Sequence, residues 1–537
     1  MSEAGAAESI FVEGRNCGRV AHADRVAFVV DGEDYFNMFV QAAELATHSI
    51  FVIAWDFNSS CRLDYCCEDD SPRARLGSYL NDLARRRRDL HIYVLDWDFP
   101  MIYATDREAP ASVRWGWGWK PHRRVHLEFD NTHPPGGSHH QKIVVIDDAI
   151  AFCGGVDLTC QRWDTPDHSP EEPRRVTGDR PYPPFHDMMI AVDGEAARVL
   201  ATIARERWHT STKKWAPQLP VHGNRWPEEL EPAVFDVPVA IAVTAPESPP
   251  HNGTHEVENL YLDMIARAKR YIYIENQYFT SHSIGAALEQ RLREPGGPEI
   301  VVVTRLLSHG WLEEYTMGVL RSKLIQRLQA ADHEGRFSVL YPAMPGLAEG
   351  TCIDLHSKMM AVDDEWLRIG SANINNRSMG VDTECDVAIE ADGRDDVAKA
   401  IRDLRNKLLG EHLGVTREEV ARQIDLTGNI RSAVEALRSS HRTLAPLEVE
   451  PYSEVTLSLA EMADPEQAVG IDKLLAMFSF GAEFHHPPRA VRQAMPYLVL
   501  AGAIFLLWQF TPIPEMLGLR RKPSATQRLL RRWGLDR

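Results

Sequence analysis

Cysteine is scarce and unpatterned: the 537 residues hold eight, at Cys17, Cys61, Cys66, Cys67, Cys153, Cys160, Cys352 and Cys385. No C-x-x-C or disulfide framework appears, so reduced thiols in a cytosolic setting are expected. Neither the cysteines nor the histidines show a zinc-site spacing, and no metal is expected. Positive charge is in deficit, with 59 Lys and Arg against 77 Asp and Glu and a formal net charge of -18. A nucleic-acid enzyme normally presents a basic face, so this balance argues against one. The opening residues, Met-Ser-Glu-Ala-Gly-Ala-Ala-Glu-Ser, have neither a basic nor an apolar region of the kind a signal peptide needs, and none is expected. What remains is ordinary for a globular chain, 44% hydrophobic and 25% charged, and long enough for two or more domains.

What is present is one short pattern, twice. His140-Gln-Lys142 is followed after four residues by Asp147, and His356-Ser-Lys358 after four residues by Asp363. Fourteen residues after each histidine stands a pair of small residues, Gly154-Gly155 and then Gly370-Ser371. One active site assembled from two similar halves is the direct implication. Both copies lie in strand-like runs, and residues two apart on a strand share a face, so each His and Lys should project together. The aspartate, five residues further on, supports rather than reacts. The small pair lets backbone or substrate approach closely.

Two imidazoles and two ammonium groups suit phosphoryl chemistry. Lysine places charge on phosphate oxygens. One histidine can attack phosphorus covalently, and the other can protonate the leaving alcohol and then activate water or a second alcohol. The two lysines supply the charge that a metal otherwise would, and no cofactor is expected. A single copy of the pattern could arise by chance on a solvated strand; two with the same downstream offset are hard to explain that way.

At this point the chain resembles the phospholipase D superfamily, whose hallmark is this duplicated HKD motif, and in particular its phospholipid-acting branch of bacterial phospholipase D and cardiolipin synthase-like enzymes. Gly154-Gly-Val-Asp157-Leu-Thr-Cys-Gln161-Arg162-Trp163-Asp164 is similar to that branch's GGIDLxxGRWD, Pro184-Phe185-His186-Asp187 to PWHD, Ile272-Tyr-Ile-Glu275-Asn276-Gln277-Tyr-Phe279 to IYIENQFF, and Gly370-Ser-Ala-Asn373-Ile-Asn375-Asn-Arg377-Ser378-Met to GSANINxRSM. Gln161 and Phe185 depart from the pattern, where the family has Gly and Trp. The resemblance implies that His140 is the nucleophile and His356 the general acid, although the residues alone do not decide which attacks. It implies that Lys142, Lys358 and Asn373 hold the phosphate. It also implies that Asp187 and Glu384 orient the imidazoles, with Gly154, Gly155 and Ser371 supporting.

The repeat extends to predicted elements. Helix 34–47 and strand 50–54, then helix 76–88 and strand 92–95, precede the first copy. Helix 256–269 and strand 271–274, then helix 284–293 and strand 300–303, precede the second. This alternation predicts an α/β fold. The resemblance implies two pseudo-twofold-related α/β/α lobes, 1–225 and 226–445, with one active site at their interface. Residues 446–537 form a linker, an apolar helix near 493–514 and a basic tail.

Several segments carry two readings. The stretch from Trp163 to Phe185, rich in Pro and charge, reads as an exposed loop, either a lid over the site or a plain insertion. A second linker is expected near 217–250. The run Trp115-Gly-Trp117-Gly-Trp119 suits core packing better than a lipid-contacting rim, and Arg85–Arg88 suit a helix C-terminus and solvent better than nucleic-acid contact. Residues 493–514 carry no charged side chain and are just long enough to cross a bilayer; an interfacial helix is the alternative. Flanking charge favours a cytoplasmic tail, which conflicts with cytoplasmic catalytic lobes if the helix spans.

The expected function is phospholipid hydrolysis to phosphatidic acid and a headgroup alcohol, with a cardiolipin synthase-like transfer as the alternative and a nuclease second. The expected partner is a phospholipid at a membrane surface, with no nucleic acid. The lobes are expected to be cytoplasmic and membrane-associated, and the chain active as a monomer.

Overall fold

Runs rich in Val, Ile and Ala form one mixed sheet, and their alternation covers both faces of it. The computed structural model describes residues 9–65, 71–98, 118–134, 136–218, 223–247, 252–307, 310–449, 457 and 464–466. The sheet has sixteen strands among these residues. From one edge it runs Thr443–Pro446, Phe337–Ala343, Glu299–Val303, Tyr271–Asn276, Lys358–Val362, Trp366–Gly370, Glu384–Glu390 and Val234–Ala245. It continues through Arg19–Val30, Met188–Asp193, Ile150–Gly154, Ile143–Ile146, Ser49–Ala54 and His91–Trp97 to Val125–Asp130, with Thr254–His255 paired off the path.

This order reads alike from both ends. Ser49–Ala54, His91–Trp97 and Val125–Asp130 pair in parallel, as do Tyr271–Asn276, Glu299–Val303 and Phe337–Ala343. Each parallel set joins an antiparallel set that begins at or directly after the lysine of a His-x-Lys copy. The centre is the antiparallel pairing of Arg19–Val30 with Val234–Ala245.

Alternate side chains bury on opposite faces. Ile143 and Val145 share a buried cluster with helices Gly194–Thr212 and Asp395–Leu413, while Val144 and Ile146 share another with helices Gly32–Leu45 and Leu76–Arg86. In the other half, Ile272 and Ile274 face helices Glu256–Arg267, His282–Arg293 and Gly310–Ala331. Removing apolar surface on both faces of the sheet drives the layering.

The eight elements predicted from the repeat are present within a few residues of their expected bounds. One expectation fails and another holds only in part. The segment 217–250 is not a linker throughout, since Val234–Ala245 is a central strand. Pro238 interrupts the sequence signal, yet it sits in register opposite His22 while Val237, Val239 and Ile241 enter the core. The stretch from Trp163 to Phe185 is not simply exposed. It forms a small hairpin, Val176–Thr177 with Arg180–Pro181, and buries Asp164, His168 and Arg175.

Arg87 donates to the carbonyls of Ala43 and Ala46, so part of the arginine run caps the C-terminus of a neighbouring helix. Trp119 packs on Phe57 with ring centroids 5.8 Å apart. Trp115, Trp117, the apolar stretch 493–514 and the basic tail lie outside the described residues. Among the described residues no helix is long and apolar enough to cross a membrane.

Candidate active site

The histidines and lysines sit at strand mouths rather than inside strands. The first strand begins at Ile143, directly after Lys142, and the second begins with Lys358. The chain just before each strand is held by the opposite half. His140 donates its backbone N–H to Thr383 O (3.0 Å), and His356 donates to His186 O (2.7 Å).

The side chains cross in the same way. Nδ1 of His140 lies 3.0 Å from both oxygens of Glu384, and Nδ1 of His356 lies 2.7 Å from Asp187 Oδ2. Each imidazole is therefore oriented by a carboxylate from the other half of the sequence. A carboxylate on Nδ1 fixes the tautomer and leaves Nε2 as the reactive nitrogen. Ser371 Oγ donates to Glu384, and Met188 N–H donates to Asp187 Oδ1 (2.7 Å), so both carboxylates are themselves held.

Lys142 Nζ donates to His140 O (3.0 Å) and stands 3.3 Å from Asp157 Oδ2 and 5.6 Å from the Trp55 ring. Lys358 Nζ donates to Gln277 Oε1 (3.0 Å) and stands 3.0 Å from His356 Nδ1. The copies thus differ in support, since Asp157 neutralises Lys142 whereas the position three after Gly370 holds Asn373. Trp55 stands edge-on to His140 (6.0 Å between ring centroids), and Phe185 stands 5.4 Å from His356. Asn373 is buried, and its Oδ1 has no hydrogen-bond partner.

Burial governs the protonation states. It pushes Asp187 up to about 7 and Glu384 up to about 8, and each carboxyl, ionised or neutral, can still accept Nδ1–H through an unprotonated oxygen. Burial, reinforced by both lysines, drives each imidazole well below its ordinary value. Lys358 falls to about 7 by burial; Lys142 is also lowered by burial, with Asp157 opposing. Neutral imidazoles beside desolvated lysines suit a site that awaits an anion, because a bound phosphodiester stabilises the charged form of each lysine.

The glycines serve close approach, as expected. A Cβ on Gly154 would stand 2.4 Å from Met188 O, and one on Gly155 would stand 2.1 Å from Asp187 Oδ1. Gln161, where the resemblance has glycine, adopts a left-handed backbone (φ 63°).

His140, Lys142, His356, Lys358, Asp187, Glu384 and Ser371 come together. Asp147 and Asp363 do not join them, lying at the far ends of their strands. Asp147 accepts from the N–H groups of Thr47, His48 and Ser49, and Asp363 from those of Lys269, Arg270 and Tyr271. Trp55 and Gln277 were not singled out as lysine supports from sequence. The signal was their shared place just after the strand that pairs with the His-x-Lys strand.

Comparison with known proteins agrees with this geometry. A family described as "Cardiolipin synthase, PLD-like domain" matches residues 261–408, and one described as "Phospholipase D" matches residues 133–237, so each match contains one His-x-Lys copy. The chain belongs to the phospholipase D superfamily. It is 26% identical to Phospholipase D A of Dictyostelium discoideum over 464 residues, covering 73% of this chain and 36% of that protein. It is 24% identical to Phospholipase D beta 2 of Arabidopsis thaliana, covering 67% of this chain and 53% of the relative. Against Phospholipase D2 of Bos taurus the identity is 24%, covering 67% and 49%. The chain thus spans from about a third to about half of the length of these relatives. Among solved structures, the phosphatidylserine synthase of Haemophilus influenzae Rd KW20 shares the fold, with a TM-score of 0.54, 12% identity, and coverage of 83% of this chain and 95% of that one. The superfamily fold here is a mixed α/β arrangement around one large sheet.

Proposed function

We propose that this chain is a phospholipid phosphodiesterase that cleaves a phospholipid to phosphatidic acid and its headgroup alcohol through a phosphohistidine intermediate. The observation that carries the reading is the crossed pair of carboxylate-oriented imidazoles with a lysine beside each. Nε2 of His140 attacks phosphorus and forms the P–N bond. The P–O bond to the headgroup breaks, and His356, which takes up a proton on Nε2 once the bound phosphodiester offsets the lysine charge, gives that proton to the leaving oxygen. Water then attacks phosphorus, His356 takes its proton, and the P–N bond breaks to release phosphatidic acid. Lys142, Lys358 and Asn373 hold the phosphoryl oxygens throughout. A primary alcohol in place of water gives the transfer product by the same route.

The site lies between two halves, 1–225 and 226–445, and one chain supplies both histidines, which supports activity as a monomer. Residues 446–537, with the apolar stretch 493–514, provide the contact with the membrane, and the catalytic halves stand at its cytoplasmic face. Buried free thiols such as Cys153 and Cys385 suit that compartment.

The deciding assay supplies mixed phospholipid vesicles with and without a primary alcohol. Phosphatidic acid that gives way to phosphatidyl-alcohol is the expected result; cleavage of a nucleic acid without lipid turnover would overturn the proposal. His140→Ala or His356→Ala alone should lower kcat on the order of 10³-fold or more. A near-normal rate in either variant removes the shared site.

A further inference from the structure

A second cluster lies directly behind the catalytic residues and takes no part in the proposed reaction. Asp31, His168, His186 and Glu411 come from three distant parts of the chain, and all four side chains are almost entirely buried. One ligand atom from each can be chosen so that all lie within 4.8 Å of one another. Nδ1 of His186 is 2.8 Å from Glu411 Oε1 and 3.0 Å from Asp31 Oδ1. Nε2 of His168 is 3.2 Å from Glu411 Oε1 and 3.9 Å from Asp31 Oδ1. Ligands about 2.0 Å from a tetrahedral zinc ion stand about 3.3 Å apart, in the middle of these separations.

We infer that Asp31, His168, His186 and Glu411 form a structural site for a divalent transition-metal ion of the zinc class.

Three further observations point the same way. Neither oxygen of Asp31 makes a well-aligned hydrogen bond, nor does Nδ1 of His186 or Oε2 of Glu411, although all are buried and His186 stands within ion-pair distance of both carboxylates. Buried polar atoms without well-aligned hydrogen bonds are costly, and all four residues of the cluster contribute one ligand atom to a group within 4.8 Å. The opposite nitrogen of each histidine faces a carboxylate: His168 Nδ1 lies 2.9 Å from Asp164 Oδ2, and His186 Nε2 lies 3.0 Å from Glu275 Oε2. That is the outer support metal-bound histidines usually have. Charge is also unbalanced among the described ion pairs. Asp31, Asp164, Glu275 and Glu411 pair with two arginines, Arg175 and Arg442, leaving two negative charges that one divalent cation would cancel, as would protonation of His168 and His186 in its absence. Asp31 meanwhile holds a left-handed backbone (φ 68°), which costs energy in a residue other than glycine.

The site ties the halves together next to the chemistry. Asp31, His168 and His186 belong to the first half and Glu411 to the second. His186 immediately precedes Asp187, and Asp31 N–H donates to Asp187 O (2.8 Å). The ion therefore positions the carboxylate that orients His356. The four ligands follow no short spacing, which is why the sequence shows no metal motif.

Elemental mass spectrometry on the purified full chain should find about one zinc per chain, with His168→Ala and Glu411→Gln reducing it severalfold. Chain stripped by chelator and reloaded with cobalt should show the intense visible absorption of a tetrahedral site, and added zinc should raise its Tm. These readouts on the wild-type chain stand even if the variants fail to fold. A chain with no stoichiometric metal, no tetrahedral cobalt spectrum and no Tm response to zinc overturns the inference and makes the cluster a proton-linked ion network. So does metal content unchanged in both variants. None of these readouts requires lipid turnover, so they fail or succeed separately from the proposed reaction.

Discussion

Gly155 leaves no room for a side chain, because its Cβ would stand 2.1 Å from Asp187 Oδ1. Gly155→Ala should push Asp187 away from His356 and lower kcat about 10²-fold, as a misplaced catalytic group does. Steady-state kinetics should show KM changing much less; an unchanged kcat would mean that Asp187 does not orient His356. Glu384 carries a pH signature. Its folded carboxyl is pushed from 4.5 up to about 8, so the folded state holds this proton more tightly than the unfolded state. That contribution is complete below about 4.5 and is lost as pH rises through about 8. Glu384→Gln cannot lose the proton, so the variant should gain stability relative to the wild type between about pH 5 and 8, read as Tm at a series of pH values. A constant difference would mean that Glu384 is ionised in the folded chain. The His-x-Lys pairs, Asp187 and Glu384 were legible from sequence because short patterns and a family resemblance both mark them. Trp55 and Gln277 were less legible, since their roles depend on which strand neighbours which.

Among elements, Asp147 and Asp363 show how a motif residue can serve the scaffold. Each follows its strand in a left-handed turn (φ 51° and 59°) and accepts three backbone N–H groups at the start of the neighbouring strand. Asp363→Ala leaves those donors without their acceptor and should destabilise the protein by about 2 kcal/mol or more. Turnover per folded molecule should stay near normal, measured by activity against the folded fraction at a temperature below the transition; a large loss of kcat in fully folded variant would place Asp363 in the chemistry after all. The helices and strands flanking each copy were readable from alternation and periodicity. The central strand Val234–Ala245 was not, because Pro238 and nearby acidic residues mimic a linker; its place in the middle of the sheet is fixed by partners on both sides, Arg19–Val30 and Glu384–Glu390. The Trp163–Phe185 stretch misled for a related reason. Its charged residues looked solvated, yet Asp164 and Arg175 are buried because they pair at 3.0 Å.

At the scale of the whole molecule, the formal charge of -18 works against approach to an anionic membrane, whereas the C-terminal segment carries the opposite sign at Arg520, Arg521, Lys522, Arg528, Arg531 and Arg532. Charges in solution act over about 10 Å at 0.1 M salt, so a basic tail next to an apolar segment can dominate at the surface while the acidic body stays beyond that range. If residues 493–537 make the membrane contact, the full chain should bind anionic vesicles less tightly as salt rises. A chain truncated before Gln493 should bind more weakly overall, and its residual binding should strengthen with salt as repulsion of the acidic body is screened. Vesicle sedimentation across a salt series measures both slopes, and turnover of a short-chain soluble phospholipid should be the same in the two proteins, since the catalytic residues lie between 140 and 384. Equal vesicle binding by the two chains would locate the lipid contact on the catalytic halves. Lost turnover of the soluble substrate would instead make the segment part of the fold.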